Sequence, residues 1–459
     1  MNRDKRGIYL LYIAIVSAMG GFLFGYDWVV VGGAKPFYEV YFEIAGSPVM
    51  QGWAMGSAVL GCLIGVMVAG SLSDRYGRKS LLIVSALIFI IASLGTGAVN
   101  TVSWFIFFRI FGGIGIGIAS NLSPMYIAEV APADVRGRFV SINQLTIVLG
   151  ILSAQLVNWL LADPVDPSES ILVTWNGQIG WRLMFWACAA PATLFFILVC
   201  SIPESPRWLA SKGHYDMAML SFMRIGNSEN ARNQIREIKS TVKKKRQKVS
   251  YRMLLEGRMP KILFIGTVIA IFQQWCGINV IFNYAQEIFS AAGYGVSDIL
   301  FNIVVTGVTN VIFTFVGMYL VDRMGRRALL LFGAAGLTCI YAVIGICYYF
   351  QVMGVPLLCL VVAAIACFAM TLAPVTWVVI SEIFPNRIRG MAMAVATFGL
   401  WAACFVLTYT FPMLNKGLGS YGTFWLYGLI CVFGFIFIKR MLPETKGKSL
   451  EEIEKEFQT

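Results

Sequence analysis

The chain has 459 residues, 58% of them apolar and 13% charged, with a formal net charge of +12. Soluble domains average about 25% charged residues, so a water-soluble globule, a disordered chain and an ordinary soluble enzyme are excluded. Long continuous apolar runs exclude an outer-membrane barrel, whose strands alternate. The one histidine, His214, and ten cysteines without a CxxC pair offer no metal site, no histidine triad and no cofactor set. The cysteines read as small buried hydrophobes.

Apolar runs predict twelve spans, at 8–33, 51–71, 80–99, 103–123, 139–161, 182–202, 261–290, 300–321, 328–350, 355–381, 391–413 and 422–441. The first is too long for a signal-peptide core and has no small-residue cleavage site, so it reads as a span. With the N-terminus in the cytoplasm, all but four of the 36 Lys and Arg fall on the cytoplasmic side, the exceptions being Lys35, Arg109, Arg182 and Lys416. The positive charge is therefore topological and needs no nucleic-acid partner. The basic run 243–248 reads as a solvated face near anionic headgroups. The one long hydrophilic stretch divides the chain into an N-terminal six-helix bundle (1–202), a cytoplasmic helical linker (203–260), a C-terminal six-helix bundle (261–442) and a cytoplasmic tail (443–459).

The two bundles repeat one another. Asp74-Arg75-Tyr-Gly-Arg78-Lys79 after the second span matches Asp322-Arg323-Met-Gly-Arg326-Arg327 after the eighth. Glu129 with Arg136 closes the fourth span as Glu382 with Arg389 closes the tenth. Pro203-Glu204 ends the first half as Pro443-Glu444 ends the second. Three motif pairs about 250 residues apart imply two homologous halves, an architecture of transporters. At the cytoplasmic face the guanidinium forks of Arg78, Arg136, Arg326 and Arg389 can hold the carboxylates Asp74, Glu129, Glu204, Asp322, Glu382 and Glu444. A gate is expected there, a ring of charge pairs tying the two halves when that side is shut.

These loop motifs, with the glycine run Arg109–Gly117, Gly180-Trp181-Arg182, Pro203-Glu-Ser-Pro-Arg-Trp-Leu209, Gln273-Gln274-x-x-Gly277-Ile278-Asn279 and Pro443-Glu-Thr-Lys-Gly-Lys-Ser-Leu450, resemble the sugar porter branch of the major facilitator superfamily across nearly the whole chain. Within it the sequence looks most like the bacterial D-xylose–proton symporters, including Phe24-Gly25-Tyr26-Asp27. The resemblance implies the twelve-helix major facilitator fold, monosaccharide uptake by alternating access, and ligand roles for Gln144, Gln273, Gln274, Asn279 and Trp377. Ala373, Leu400 and Asn283 depart from the xylose-type pattern, which has Gly, Gln and Tyr there, so a pentose or hexose is implied and xylose is one example.

The residues themselves point the same way. A sugar needs hydroxyl partners inside the membrane, and amides offer donors and acceptors without charge. Gln144, Gln155 and Asn158 fall on one face of the fifth span. Gln273, Gln274 and Asn279 do not share a face of an ideal helix, but a break at Gly277 would bring them together. Asn283 and Gln286 continue that stripe, and Asn310 adds an amide in the eighth span. Trp377 and Trp401 are candidates to stack on the apolar face of a sugar, with Pro374 loosening the helix before Trp377. Asp27 lies inside an otherwise apolar span and Arg109 inside the fourth. A membrane-embedded carboxylate is a functional candidate by default, and a pair that forms in one conformation and parts in another would couple proton load to access. Proton symporters of the branch carry Asp here. The competing expectations are a facilitative uniporter, against which Asp27 argues, a non-transporting sugar sensor, against which the short tail to Thr459 argues, and a membrane enzyme, for which there is no nucleophile–base pair or P-loop. The expected partners are a monosaccharide, a proton and the lipid bilayer, with no nucleic acid and no cofactor. The chain is expected to be a monomer in a bacterial inner membrane, with both termini cytoplasmic.

Overall fold

The structure is a computed structural model that describes residues 3–131, 136–164, 170–225, 231–232, 235–236, 254, 256–291, 293–352, 354–384 and 388–444. The described residues are helical nearly throughout, as lipid requires: a helix satisfies its own backbone hydrogen bonds where no water can. The first half holds α1 (Arg3–Tyr41), α2 (Pro48–Tyr76), α3 (Arg78–Ala98), α4 (Val102–Val130), α5 (Arg136–Leu161), α6 (Trp181–Ala187) and α7 (Ala189–Ser201). The last two form one span with a π-helical turn, Asn176–Gly180, before it. Two short helices follow, α8 (Pro206–Ser211) and α9 (Tyr215–Ile225). They pack on each other through Leu209, Ala218 and Phe222.

The second half holds α10 (Met259–Trp275), α11 (Ile278–Asn283), α12 (Ala285–Ala291), α13 (Val296–Met324), α14 (Arg326–Tyr349), α15 (Val355–Met370), α16 (Leu372–Ile383) and α17 (Arg389–Met441). α17 turns at Gly419 (φ 69°, ψ 171°), so it supplies the eleventh and twelfth spans. α1 has 39 residues, more than the expected 8–33. At 1.5 Å per residue it is roughly twice as long as a hydrocarbon core is thick, so its ends stand beyond the lipid.

The sequence repeat is a repeat of packing. α1 lies on α5 and α2 on α4, and correspondingly α10 lies on α17 and α13 on α15. The glycine run of α4 serves one of these crossings. A methyl group on Gly113 or Gly117 would collide with the carbonyl oxygens of Ala58 or Cys62 on α2, so the small residues let the two backbones touch. Between the halves, α2 meets α17, α5 meets α13, and α1 meets α11 and α12. The outer surface is apolar: Leu160, Ile197 and Phe433 are each more than half exposed. The cysteines correct one expectation, since Cys200, Cys339 and Cys359 are exposed rather than buried. A thiol suits a lipid-facing surface as well as a core.

Candidate functional site

Asp27 of α1 and Arg109 of α4 meet inside the first half. Arg109 Nη1 donates to both Asp27 oxygens, at 2.7 and 2.8 Å. The side chains are 14% and 4% exposed, and the guanidinium lies over the Phe185 ring at 5.8 Å. In so dry a setting, removing one charge leaves the other uncompensated and costs far more than breaking a surface pair. The pair stands between two narrow cavities. One lies inside the first half and reaches Ser93, Thr96 and Cys188. The other faces the second half and reaches Trp28, Met55 and Asn283.

The seventh span breaks where the sequence suggested. Gly277 takes φ +87°, in the left-handed region, and a Cβ there would come within 2.7 Å of the Tyr427 ring. Only glycine fits both demands. The break folds three amides into a chain: Asn279 Nδ2 donates to Gln274 Oε1, and Gln274 Nε2 donates to Gln273 Oε1 at 2.7 Å. Gln273 and Gln274 are buried. The chain ends in an N–H on Gln273 and a carbonyl oxygen on Asn279, the complement of a hydroxyl, which both accepts and donates. A second interruption at Tyr284 separates Asn283 from Gln286, so the expected continuous stripe ends at Asn283. Asn283 is buried, with its Oδ1 unpaired.

The other predicted sugar ligands lie on separate helices. Gln144 is half-buried on α5 and Asn310 is buried on α13. Gln155 and Asn158 diverge: Asn158 Nδ2 donates to Val30 O of α1 at 3.1 Å, whereas Gln155 lies against Gly307 of α13. The tenth span breaks at Thr371 (φ −124°, ψ −84°). Pro374 is then the third residue of α16, where its missing N–H costs no helical bond. Trp377 is 37% exposed, while Trp401 is buried. Trp401 packs edge-on against Phe24 and Trp28 of α1, at 5.5 and 6.2 Å between centroids. That aromatic group joins the two halves, and no spacing in the sequence marks Phe24 and Trp28 as its members.

At the end of the bundle holding the repeated loops, the described charges pair within each half. Arg78 reaches Glu129 Oε1 through Nε (3.2 Å) and Nη2 (2.9 Å), and Asp74 at 3.3 Å. Ser205 Oγ donates to the other oxygen of Glu129. Among the described residues no arginine fork pairs with Glu204. It accepts from the backbone N–H groups of Arg78 (3.0 Å) and Lys79 (3.1 Å), so it caps α3. The second half repeats this: Arg326 Nη2 donates to Glu382 at 3.0 Å, and Glu444 caps α14 through Arg326 N (2.9 Å) and Arg327 N (3.1 Å). Gly77 and Gly325 take φ +94° and +92°, which brings each capping carboxylate under its helix end. Each of these described contacts lies within one half. The side chains of Arg136, Asp322 and Arg389 and the tail from 445 lie outside the described residues.

A sequence profile described as "Sugar (and other) transporter" matches residues 13–457. The D-xylose-proton symporter of Escherichia coli is 37% identical over 99% of this chain and 97% of its own length. The arabinose-proton symporter of Bacillus subtilis is 36% identical over 97% and 95%. The inward-open structure of the E. coli xylose transporter XylE superposes with a TM-score of 0.84 at 36% identity, covering 97% of this chain and 99% of that one. Helix order, loop repeats and sequence thus agree, and the chain belongs to the sugar transporter family.

Proposed function

We propose that this chain is a proton-coupled monosaccharide symporter working by alternating access, with a pentose or hexose such as D-xylose as substrate. One observation carries the coupling: a carboxylate inside a membrane span, held at both oxygens by Arg109, beside a cavity that the second half also lines. A proton on Asp27 removes its charge and weakens its hold on the guanidinium, so the pair exchanges an ion pair for a bond between a guanidinium and a neutral carboxyl group. The cavity wall at Asn283 lies six residues from Gly277, and the amide chain at Gly277 supplies hydroxyl-matching groups. Named relatives that are xylose– and arabinose–proton symporters support the same reading. In this account the halves are residues 1–202 and 261–442, the linker and tail are cytoplasmic, both termini face the cytoplasm of a bacterial inner membrane, and the unit is a monomer in lipid.

The test is uptake of labelled xylose, arabinose, glucose and galactose in transporter-deficient cells with and without a protonophore. Accumulation of one sugar that the protonophore abolishes is the expected result. A sugar that only equilibrates, indifferent to the protonophore, would establish facilitated diffusion and leave Asp27 a structural residue.

A further inference from the structure

Lys35 breaks the charge pattern of the sequence, standing far from the basic loops, and it is 1% exposed. It lies near the end of α1 opposite the repeated loops. Its ammonium bonds Glu39, one turn further along α1, at 3.0 Å. It also donates to Glu287 of α12, and it lies 5.2 Å from the Tyr284 ring centroid. Gln51 at the start of α2 donates to the second oxygen of Glu39 at 3.3 Å. The network therefore joins α1 and α2 of the first half to α12 of the second. It contrasts with the opposite end, where the described pairs Arg78–Glu129 and Arg326–Glu382 each stay within one half.

Burying an ammonium between helices is expensive unless its partners remain in place. Parting the halves at this end would strip Lys35 of Glu287 while leaving it with Glu39. We propose that the Lys35–Glu287 bond is an ionic latch holding the outer side shut, and that Lys35 and Glu287 are positioning residues of the transport cycle. The outer assignment rests on the sugar-transport reading and its topology. Glu39 is the intrahelical partner that holds Lys35 ready. A ligand that opens this end must bind the open state more tightly by at least the free energy of the latch.

The experiment uses the full-length chain in lipid vesicles, with Cys200, Cys339 and Cys359 replaced by alanine. Spin labels go at Val49 and Leu418, exposed positions near the outer ends of α2 and of the first arm of α17. Glu287→Gln should raise the ratio of long to short distances by on the order of tenfold. Glu39→Gln, which leaves the bond between the halves intact, should move it less than about twofold. The charge swap Lys35→Glu with Glu287→Lys keeps one ammonium and two carboxylates and should return the distribution to that of the parent. An unchanged distribution in Glu287→Gln, an equal shift in Glu39→Gln, or a swap no better than Glu287→Gln would each overturn the latch. The distances need no substrate, so a parent chain that moves no sugar would sink the transport reading and leave this test standing.

Discussion

The two halves share a packing plan but treat their helices differently. In the first half α1 to α5 run without a break, past Pro36 in α1 and Pro124 in α4. In the second, the seventh span parts at Gly277 and Tyr284 and the tenth at Thr371. The candidate ion pair belongs to the unbroken α1 and α4, and the amide chain to the interrupted seventh span. A carboxylate and a guanidinium need only two rigid walls at the right separation, which intact helices provide. Hydroxyl recognition needs several amides converging from neighbouring positions in sequence, which one face of an ideal helix cannot supply. The difference suggests a division of labour, coupling in one half and sugar affinity in the other.

The most direct way to break that division is Asp27→Asn. Accumulation should collapse by on the order of tenfold or more, towards simple equilibration, while sugar exchange across the membrane persists. Arg109 would lose its counter-charge, so thermal stability should also fall. Counterflow with the protonophore present separates the two effects. If sugar affinity fell with coupling, the halves would not be separable in this way.

A smaller change, in the opposite column, is expected from Gln274→Ala. Gln274 is the centre of the amide chain, so its loss strands Gln273 Oε1 and Asn279 Nδ2 together. An amide left unpaired at such a site typically costs about 1–3 kcal/mol, or roughly five- to 150-fold in sugar affinity. The accumulation ratio at saturating sugar should be unchanged. Equilibrium binding against concentrative uptake distinguishes this from a general loss of folding.

Much of this arrangement was legible in the sequence, for definite reasons. Span number follows from apolar run length, and the repeat from motif spacing. The break at Gly277 was readable because amides placed on different faces, with a glycine between them, make sense only if the helix is divided. What could not be read were choices made by neighbours. Gln155 and Asn158 share a helical face, yet two different helices press on it, α13 and α1, and each takes one amide. Trp377 and Trp401 look equivalent in sequence, yet only Trp401 meets the rings of α1. Glu129 and Glu204 both lie near Arg78 in the fold, but whether a carboxylate meets the fork or the helix end depends on the approach of its chain.

That last distinction sharpens the comparison where the halves are most alike. Glu204 and Glu444 perform the same task at equivalent helix starts, each accepting from two consecutive backbone N–H groups. A capping side chain replaced by alanine typically costs about 1 kcal/mol, somewhat more when it carries charge at the positive end of a helix. Glu204→Ala and Glu444→Ala should therefore each lower the melting temperature of the detergent-solubilised protein by a few degrees, and by similar amounts. Sugar affinity should stay within about twofold, since neither carboxylate approaches the amide chain or Asp27. A large loss from one variant alone would mean that the two halves are not equivalent at this end, and that one carboxylate has a duty in transport beyond holding its helix.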